Sequence, residues 1–444
     1  MKFNYAQLNK IIGWAVFAIA LFVFWSTVEP TVSYWDAGEY IATSSKLEVG
    51  HPPGAPLFQM MGAVFSIFAL EATDIAYTVN LLAVFSSAFT ILFMFWSLTL
   101  LLKRHILKDK ANDIMVLGAA AVGSLAFAVT DSFWYNAVEA EVYAPAALLM
   151  SVLFYIGLLW ERDMLLPRGD RWLILISFVV GLSFGIHFMG ILTIPAIGLL
   201  WYFKHYKKIT LFNFIVANVA VIAVLLFVFK LLLPYTLSIF GYLEVFFVND
   251  IGLPFNSGTI IALLLIVGLF AFLISLSRKR NKPLLNTITL CIMFVLIGFS
   301  SWTMLPIRAN AGTPINENAP NDARALLAYY NREQYPSPGL FYGESFTDMY
   351  AGYNPDNPDT EDNEAFKDEK PKYEKDYKLG KYVIVNNYKD AIPNTNDRHK
   401  GFFPRMTDPS RATNYIEFMG GLNYTVKEEY KNNQELLSVL DDYE

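Results

Sequence analysis

Two short runs carry the side chains best suited to chemistry. Ser33-Tyr34-Trp35-Asp36-Ala37-Gly38-Glu39-Tyr40 sets two carboxylates among aromatic rings, and His51-Pro52-Pro53-Gly54-Ala55-Pro56-Leu57 follows closely. A carboxylate at a membrane boundary is partly desolvated, which raises its basicity. A hydroxyl is a poor nucleophile until a base takes its proton as the new bond forms, and Asp36 is of the right type for that. Rings such as Trp35 beside a carboxylate suit a sugar, whose C–H faces stack while its hydroxyls need acceptors. The competing reading is plain: Asp36 and Glu39 cap a short helix leading into 40–48. His51-Pro52-Pro53 is either an elbow between two helices or a place where His51 meets a phosphate.

A second group lies at 131–143, where Asp131, Asn136, Glu139 and Glu141 stand among Phe133, Trp134, Tyr135 and Tyr143. A carboxylate buried there needs a partner, and Arg308 or a sugar hydroxyl would serve. Arg308 follows the last apolar run; a guanidinium fork matches phosphate geometry, though a juxtamembrane arginine also snorkels to headgroups. His187, in Gly185-Ile186-His187, is either a ligand or a satisfied polar group at a helix turn. Lys230 lies inside an apolar run, where an ionisable residue reads as functional, yet Pro234 is near enough for it to reach the surface. Asn80 reads as a helix–helix hydrogen bond. A single cysteine, Cys291, excludes a disulfide framework and a cysteine metal cluster. Two carboxylates could hold Mg²⁺ or Mn²⁺, but the spacing does not require a metal. No cofactor is required, and with no Gly-rich phosphate loop and no dinucleotide fingerprint an activated nucleotide sugar is not expected as a direct donor.

The elements that position these groups are apolar. The chain has 444 residues, 55% hydrophobic and only 17% charged, with a mean hydropathy of +0.36. A soluble protein carries about 25% charged residues, so this is a membrane chain, and 34 basic against 40 acidic residues exclude a nucleic-acid partner. Runs of roughly 17–25 apolar residues mark membrane helices. They are predicted at 11–28, 76–102, 114–130, 142–160, 172–186, 188–203, 210–233, 259–277 and 284–306, with 11–28 a retained anchor.

The basic residues decide the arrangement. Sixteen of them, in four short loops and the N-terminus, fall on one side if 55–70 is an amphipathic surface helix, against Lys46 alone in the outer loops 29–75, 131–141 and 234–258. The expectation is nine spans, the N-terminus inside, and a chain that turns near His187. After residue 306 come 24 of the 40 acidic and 16 of the 34 basic residues, so the tail carries −8 and the rest +2. The predicted domains are therefore 1–306 in the membrane and a soluble segment, 307–444, outside it. Within that tail, 353–378 is expected to be a solvated loop.

Asp36 in the first outer loop, followed by His51-Pro52-Pro53 leading into a surface helix, resembles the GT-C glycosyltransferases, the protein O-mannosyltransferases and the aminoarabinose transferases of lipid A among them. Tyr34-Trp35-Asp36-Ala37-Gly38-Glu39, His51-Pro52-Pro53-Gly54, 134–143, Gly185-Ile186-His187, 305–309 and 314–318 together are similar to a bacterial family related to the vertebrate transmembrane O-mannosyltransferase. The resemblance implies a mostly α, GT-C-like polytopic bundle with surface helices in its first outer loop. It implies an integral-membrane transferase that moves mannose or a similar hexose from a polyprenyl-phosphate carrier to Ser/Thr of secreted or envelope proteins. Asp36 would be the base and Glu39 the second carboxylate, three positions on where the O-mannosyltransferases have an adjacent pair. His51, Glu139, Glu141, His187, Arg308, Trp35 and Tyr143 would bind donor or substrate. No metal would be required. The setting would be the bacterial inner membrane, with the N-terminus cytoplasmic and 307–444 periplasmic. Family members commonly continue further, which leaves open that 307–444 is a truncated piece. The rival classes are a lipid-linked sugar flippase, which predicts internal repeats, and a transferase with a lipid acceptor.

Overall fold

The computed structural model describes residues 4–52, 54–106, 112–335, 339–347, 366–367, 370–387, 392–393 and 399–421. Pro53, Lys108, Lys110 and residues 353–365 of the charged run lie outside these. The chain divides into two compact units, 1–334 and 335–444.

The first unit is helical: α1 (Tyr5–Ser26), α2 (Ala37–Lys46), α3 (Pro56–Ser66), α4 (Ile75–Leu101), α5 (Asp113–Ala128), α6 (Asp131–Ala137), α7 (Tyr143–Asp163), α8 (Asp170–Ser183), α9 (Thr193–His205), α10 (Leu211–Leu226), α11 (Leu233–Asn249), α12 (Ser257–Lys279), α13 (Pro283–Phe299), α14 (Met304–Asn310) and α15 (Ala323–Asn331). The sequence places the end of the membrane domain at 306, whereas the compact unit runs on to 334. The reason is α15, which buries Leu326, Tyr329 and Tyr330 against Trp302 and Phe299.

Among the described residues seven helical stretches are long and apolar enough to cross a membrane, or eight if α5 and α6, bent by 70° at their junction, form one span. At 14 residues α8 is about 21 Å long, short of a ~30 Å hydrocarbon core. It nonetheless runs beside α13 from end to end. Asp170 accepts from Thr287 Oγ1 at 2.7 Å at one end, and Trp302 Nε1 donates to the Phe184 carbonyl at 2.9 Å at the other. Between them the backbones touch at Gly181 and Gly298, where a Cβ would meet the carbonyl oxygens of Val295 and Phe178, the small-residue contact of membrane helices. Adding α8, nine stretches among the described residues are candidates to cross the bundle.

The basic connections gather at one end. Glu161 pairs with Arg104 at 2.7 Å and Lys204 at 2.8 Å. Asp163 pairs with Arg162 at 2.6 Å and Arg171 at 3.4 Å, and Lys103 lies 3.2 Å over the Tyr5 ring near the N-terminus. The helix α3 has 11 residues, too few to cross, as the surface-helix expectation requires. The predicted outer loop 234–258 is corrected: an unbroken helical stretch runs from Leu211 to Asn249. Pro234 sits in the first turn of α11, where its missing amide hydrogen is tolerated. The ladder widens to a π turn at Phe227–Leu232 just before it. Glu244 on α11 then caps α12, accepting from Asn256 N at 2.6 Å and Thr259 N at 2.8 Å.

The second unit holds β1 (Tyr342–Glu344), β2 (Phe366–Lys367), β3 (Lys372–Asp376), β4 (Lys381–Asn386), β5 (Ile392–Pro393), β6 (Lys400–Phe402) and α16 (Ala412–Phe418). The strands pair antiparallel as β1–β6, β2–β5 and β3–β4. The expected solvated loop is corrected over 372–376, which pairs across a hairpin with Lys381, Tyr382, Val383, Ile384 and Asn386. Asp376 accepts from the amides of Lys378 and Leu379, and Gly380 supplies the positive φ that the turn needs.

Candidate active site

The loop between α2 and α3 folds back on α2. Glu39 Oε1 accepts from the His51 amide at 2.6 Å, and Glu39 Oε2 meets His51 Nδ1 at 2.9 Å. The other ring nitrogen, Nε2, lies 3.6 Å from Asp36 Oδ2. The imidazole is thus held between two carboxylates, with the Tyr40 ring 5.8 Å away. The hydrogen bond to Glu39 raises the proton affinity of His51 above its ordinary value, against burial, with the charges of Asp36 and Glu141 adding to it. Burial works to raise the Glu39 carboxyl, but the two hydrogen bonds from His51 and its charge together hold the carboxyl below its ordinary value.

Asp36 occupies the N-cap position of α2, yet its side chain caps nothing and is 56% exposed. The capping explanation therefore does not account for it. Trp35, just before, takes a left-handed backbone conformation (φ +58) that residues with side chains rarely adopt, and is 89% exposed. The result is an open carboxylate beside an open indole.

Glu139 and Glu141 come in from the segment between α6 and α7, both buried. Burial first, then the charges of Asp36 and Glu139, push the Glu141 carboxyl up to about 7. Burial also raises Glu139, with the charge of Glu29 behind it and the Ser33 hydroxyl opposing. Two crowded acids of raised proton affinity, Glu141 at about 7, beside the hydrogen-bonded Glu39–His51 pair make a site that can hold a proton near neutrality.

Tyr143 and His187 form a second cluster, their rings 5.4 Å apart. The first free amides of α3, those of Leu57 and Phe58, donate to the Gly185 carbonyl at 2.7 and 3.3 Å, which docks the turn before His187 onto the His51 elbow. Burial, then the charge of Arg332, lowers the proton affinity of His187. Arg308 is placed differently from a free phosphate fork. Its Nε donates to the Leu47 carbonyl at 2.5 Å and its terminal nitrogen to that of Lys46 at 3.2 Å, so it caps the C-terminal end of α2. It also lines an apolar cleft of about 570 Å³ with Leu47, Met60, Leu182, Ile297 and Met304. Lys230 lies in the π turn, its ammonium 4.8 Å over the Phe229 ring. Among the described residues no group of three or more His, Cys, Asp or Glu side chains is arranged to hold a metal ion.

Residues 36–210 match the family described as Protein O-mannosyl-transferase TMEM260 N-terminal domain. The chain is related to the TMEM260 family. Protein O-mannosyl-transferase tmem260 of Dictyostelium discoideum is 22% identical over 148 residues, which cover 33% of this chain and 17% of that protein. Protein O-mannosyl-transferase TMEM260 of Mus musculus is 27% identical over 169 residues, 38% of this chain and 22% of that protein. The match thus covers about a fifth of the curated relatives' length. Residues 336–436 match a separate family of unknown function, DUF8416. No solved structure matches. The TMEM260 match takes in Asp36, Glu39, His51, Glu139, Glu141, Tyr143 and His187; Arg308 lies beyond it.

One residue inside the TMEM260 match was misread from the sequence. Asn80 is not a helix–helix bond. From within α4 its Nδ2 donates to the carbonyls of Glu29 at 2.7 Å and Thr31 at 2.9 Å, and its Oδ1 accepts from the Ala140 amide at 2.9 Å. It pins both site loops to one helix.

Proposed function

We propose that the chain is a membrane transferase that moves a hexose, mannose or a close relative, from a polyprenyl-phosphate carrier to Ser or Thr of proteins outside the cytoplasm. The single observation that carries this reading is the uncapped, exposed Asp36 carboxylate 3.6 Å from the His51 ring. The relatives named as protein O-mannosyl-transferases supply the reaction class. In this reading Asp36 takes the acceptor hydroxyl proton as that oxygen bonds to C1 of the sugar. The C1–phosphate bond breaks with its electron pair, and polyprenyl phosphate leaves. Protonated His51, gripped by Glu39, offsets negative charge where the phosphate departs. Glu39 thereby orients His51 and is not itself the base. The apolar cleft under Arg308 suits the polyprenyl chain, and Trp35 suits a sugar face.

The site faces the side opposite the basic connections, so we place it on the periplasmic face of a bacterial inner membrane, with the N-terminus cytoplasmic. The test compares the intact masses of secreted proteins from cells with the full-length wild type, a deletion, or Asp36→Asn at equal expression. Loss of a general base costs typically 10²- to 10⁴-fold in rate, so Asn should match the deletion, with hexose-sized losses on Ser or Thr. If Asn behaves as wild type, Asp36 is not the base. If the deletion alters a glycolipid and no protein, the acceptor is a lipid.

A further inference from the structure

The His51 loop is held from the far end of the first unit. Arg308 caps α2 at the carbonyls of Lys46 and Leu47. Val49 pairs in a parallel bridge with Asn316, its amide donating to Ile315 O at 3.1 Å and its carbonyl accepting from Glu317 N at 3.0 Å. Tyr329, buried on α15, donates its hydroxyl to the Gly50 carbonyl. Gly54, at φ +57, lets the chain pass so close to this ring that a Cβ there would strike the Tyr329 hydroxyl.

The Gly50 carbonyl and the His51 amide belong to one peptide unit, which is planar and resists twisting. Tyr329 grips one edge of that plane, and Glu39 Oε1 grips the other through the His51 N–H at 2.6 Å. Fixing the carbonyl therefore aims the amide at Glu39, and Glu39 in turn aims the imidazole at Asp36. We propose that Tyr329 is a positioning residue for the Glu39–His51 pair, acting through the Gly50–His51 peptide plane. Nothing in the match to 36–210 assigns a role to α15. The proposal deepens the transferase reading and rests on it for the function of the pair, but its first test does not need activity.

Groups facing His51 are Glu39 and the Tyr40 ring from α2, Asp36 at its N-cap, and Glu141 from the segment before α7. The experiment follows the imidazole titration of His51 by NMR in the full chain, histidine-labelled and in nanodiscs, with the signal assigned by its loss in His51→Gln. Tyr329→Phe keeps the ring and removes only the hydroxyl. It should lower the proton affinity of His51 by roughly threefold to tenfold, the range of one lost hydrogen bond. Tyr330→Phe is the matched control: it removes a buried hydroxyl of the same helix, bonded to the Phe229 carbonyl at 2.9 Å, and should leave His51 unmoved. An unshifted titration in Tyr329→Phe, or an equal shift in Tyr330→Phe, overturns the proposal. Should Tyr329→Phe fail to insert, 3-fluorotyrosine at 329 keeps the hydroxyl and changes its donor strength; an unmoved titration then overturns it. With a polyprenyl-phosphate hexose as donor, the pH profile of kcat/KM should move with the titration. A wild type without transfer sinks the transferase reading and leaves the titration result standing.

Discussion

At the scale of residues, the site is a set of acids kept at different proton affinities by their surroundings. Glu141 is 6% exposed and titrates at about 7, against an ordinary value of 4.5. Between those two values the native state holds a proton that the unfolded chain releases, so this residue makes stability fall as pH rises through that window and adds no further change above it. Glu141→Gln keeps the shape and removes the titration. It should match the wild type near pH 4.5 and exceed it at pH 8 by roughly 1–3 kcal/mol, read by thermal unfolding in detergent; identical pH dependence in both proteins would sink the assignment. The His51–Glu39 pair behaves otherwise. The raised histidine contributes stability that is lost as pH rises past its folded value, and the lowered glutamate stability that is lost as pH falls. Both terms are present in both proteins, and Glu141→Gln removes only the smallest contribution to the histidine's shift. As candidates, Asp36 and His51 stand out by residue type and by setting. That Glu39 serves His51 is not legible in the sequence, because a carboxylate three residues after another on a helix says nothing of a loop twelve residues on.

At the scale of elements, α4 carries the site although it contributes no catalytic group. Asn80 satisfies two carbonyls of the first loop and one amide of the second. In Asn80→Leu the Ala140 amide loses its partner in a buried setting and the Glu29 and Thr31 carbonyls lose theirs in partly buried ones, at about 1–3 kcal/mol for a buried group left unsatisfied. A lower unfolding temperature and impaired transfer are expected together. Asn218→Leu, which removes an exposed side chain bonded within α10 to the Phe214 carbonyl, should leave both unchanged; if the two variants behave alike, Asn80 is not the anchor. A lone asparagine in an apolar run signals only that a polar partner exists. Which backbone it meets depends on loops 50 and 60 residues away, beyond any local pattern. The end of the long 211–249 helix was misplaced for a related reason: Pro234 reads as a stop, but a π turn absorbs it.

At the scale of the whole molecule, the sidedness of every later helix depends on whether the short α8 crosses the membrane. If it does not, everything after it inverts, and Lys204, Lys207 and Lys208 face the opposite side from Arg162, Arg168 and Arg171. The structure ties these groups together instead: Lys204 reaches Glu161 and Arg171 reaches Asp163 on the same helix end, while α8 runs alongside α13 over its length. The charge count predicts this parity from sequence, because sixteen like charges on one side outweigh the shortness of one helix. In a Cys291→Ser background, single cysteines at Leu166, Lys207 and Ala319 would be probed with a membrane-impermeant maleimide on intact cells. The cysteine at 319 should label directly, and those at 166 and 207 only after permeabilisation. Opposite behaviour at 166 and 207 would mean that α8 does not cross, which would put the basic helix ends joined by Glu161 and Asp163 on two sides of one membrane. Labelling of 166 and 207 with 319 protected would keep nine crossings and reverse the orientation, moving Asp36 into the cytoplasm and ruling out acceptors on the outer side.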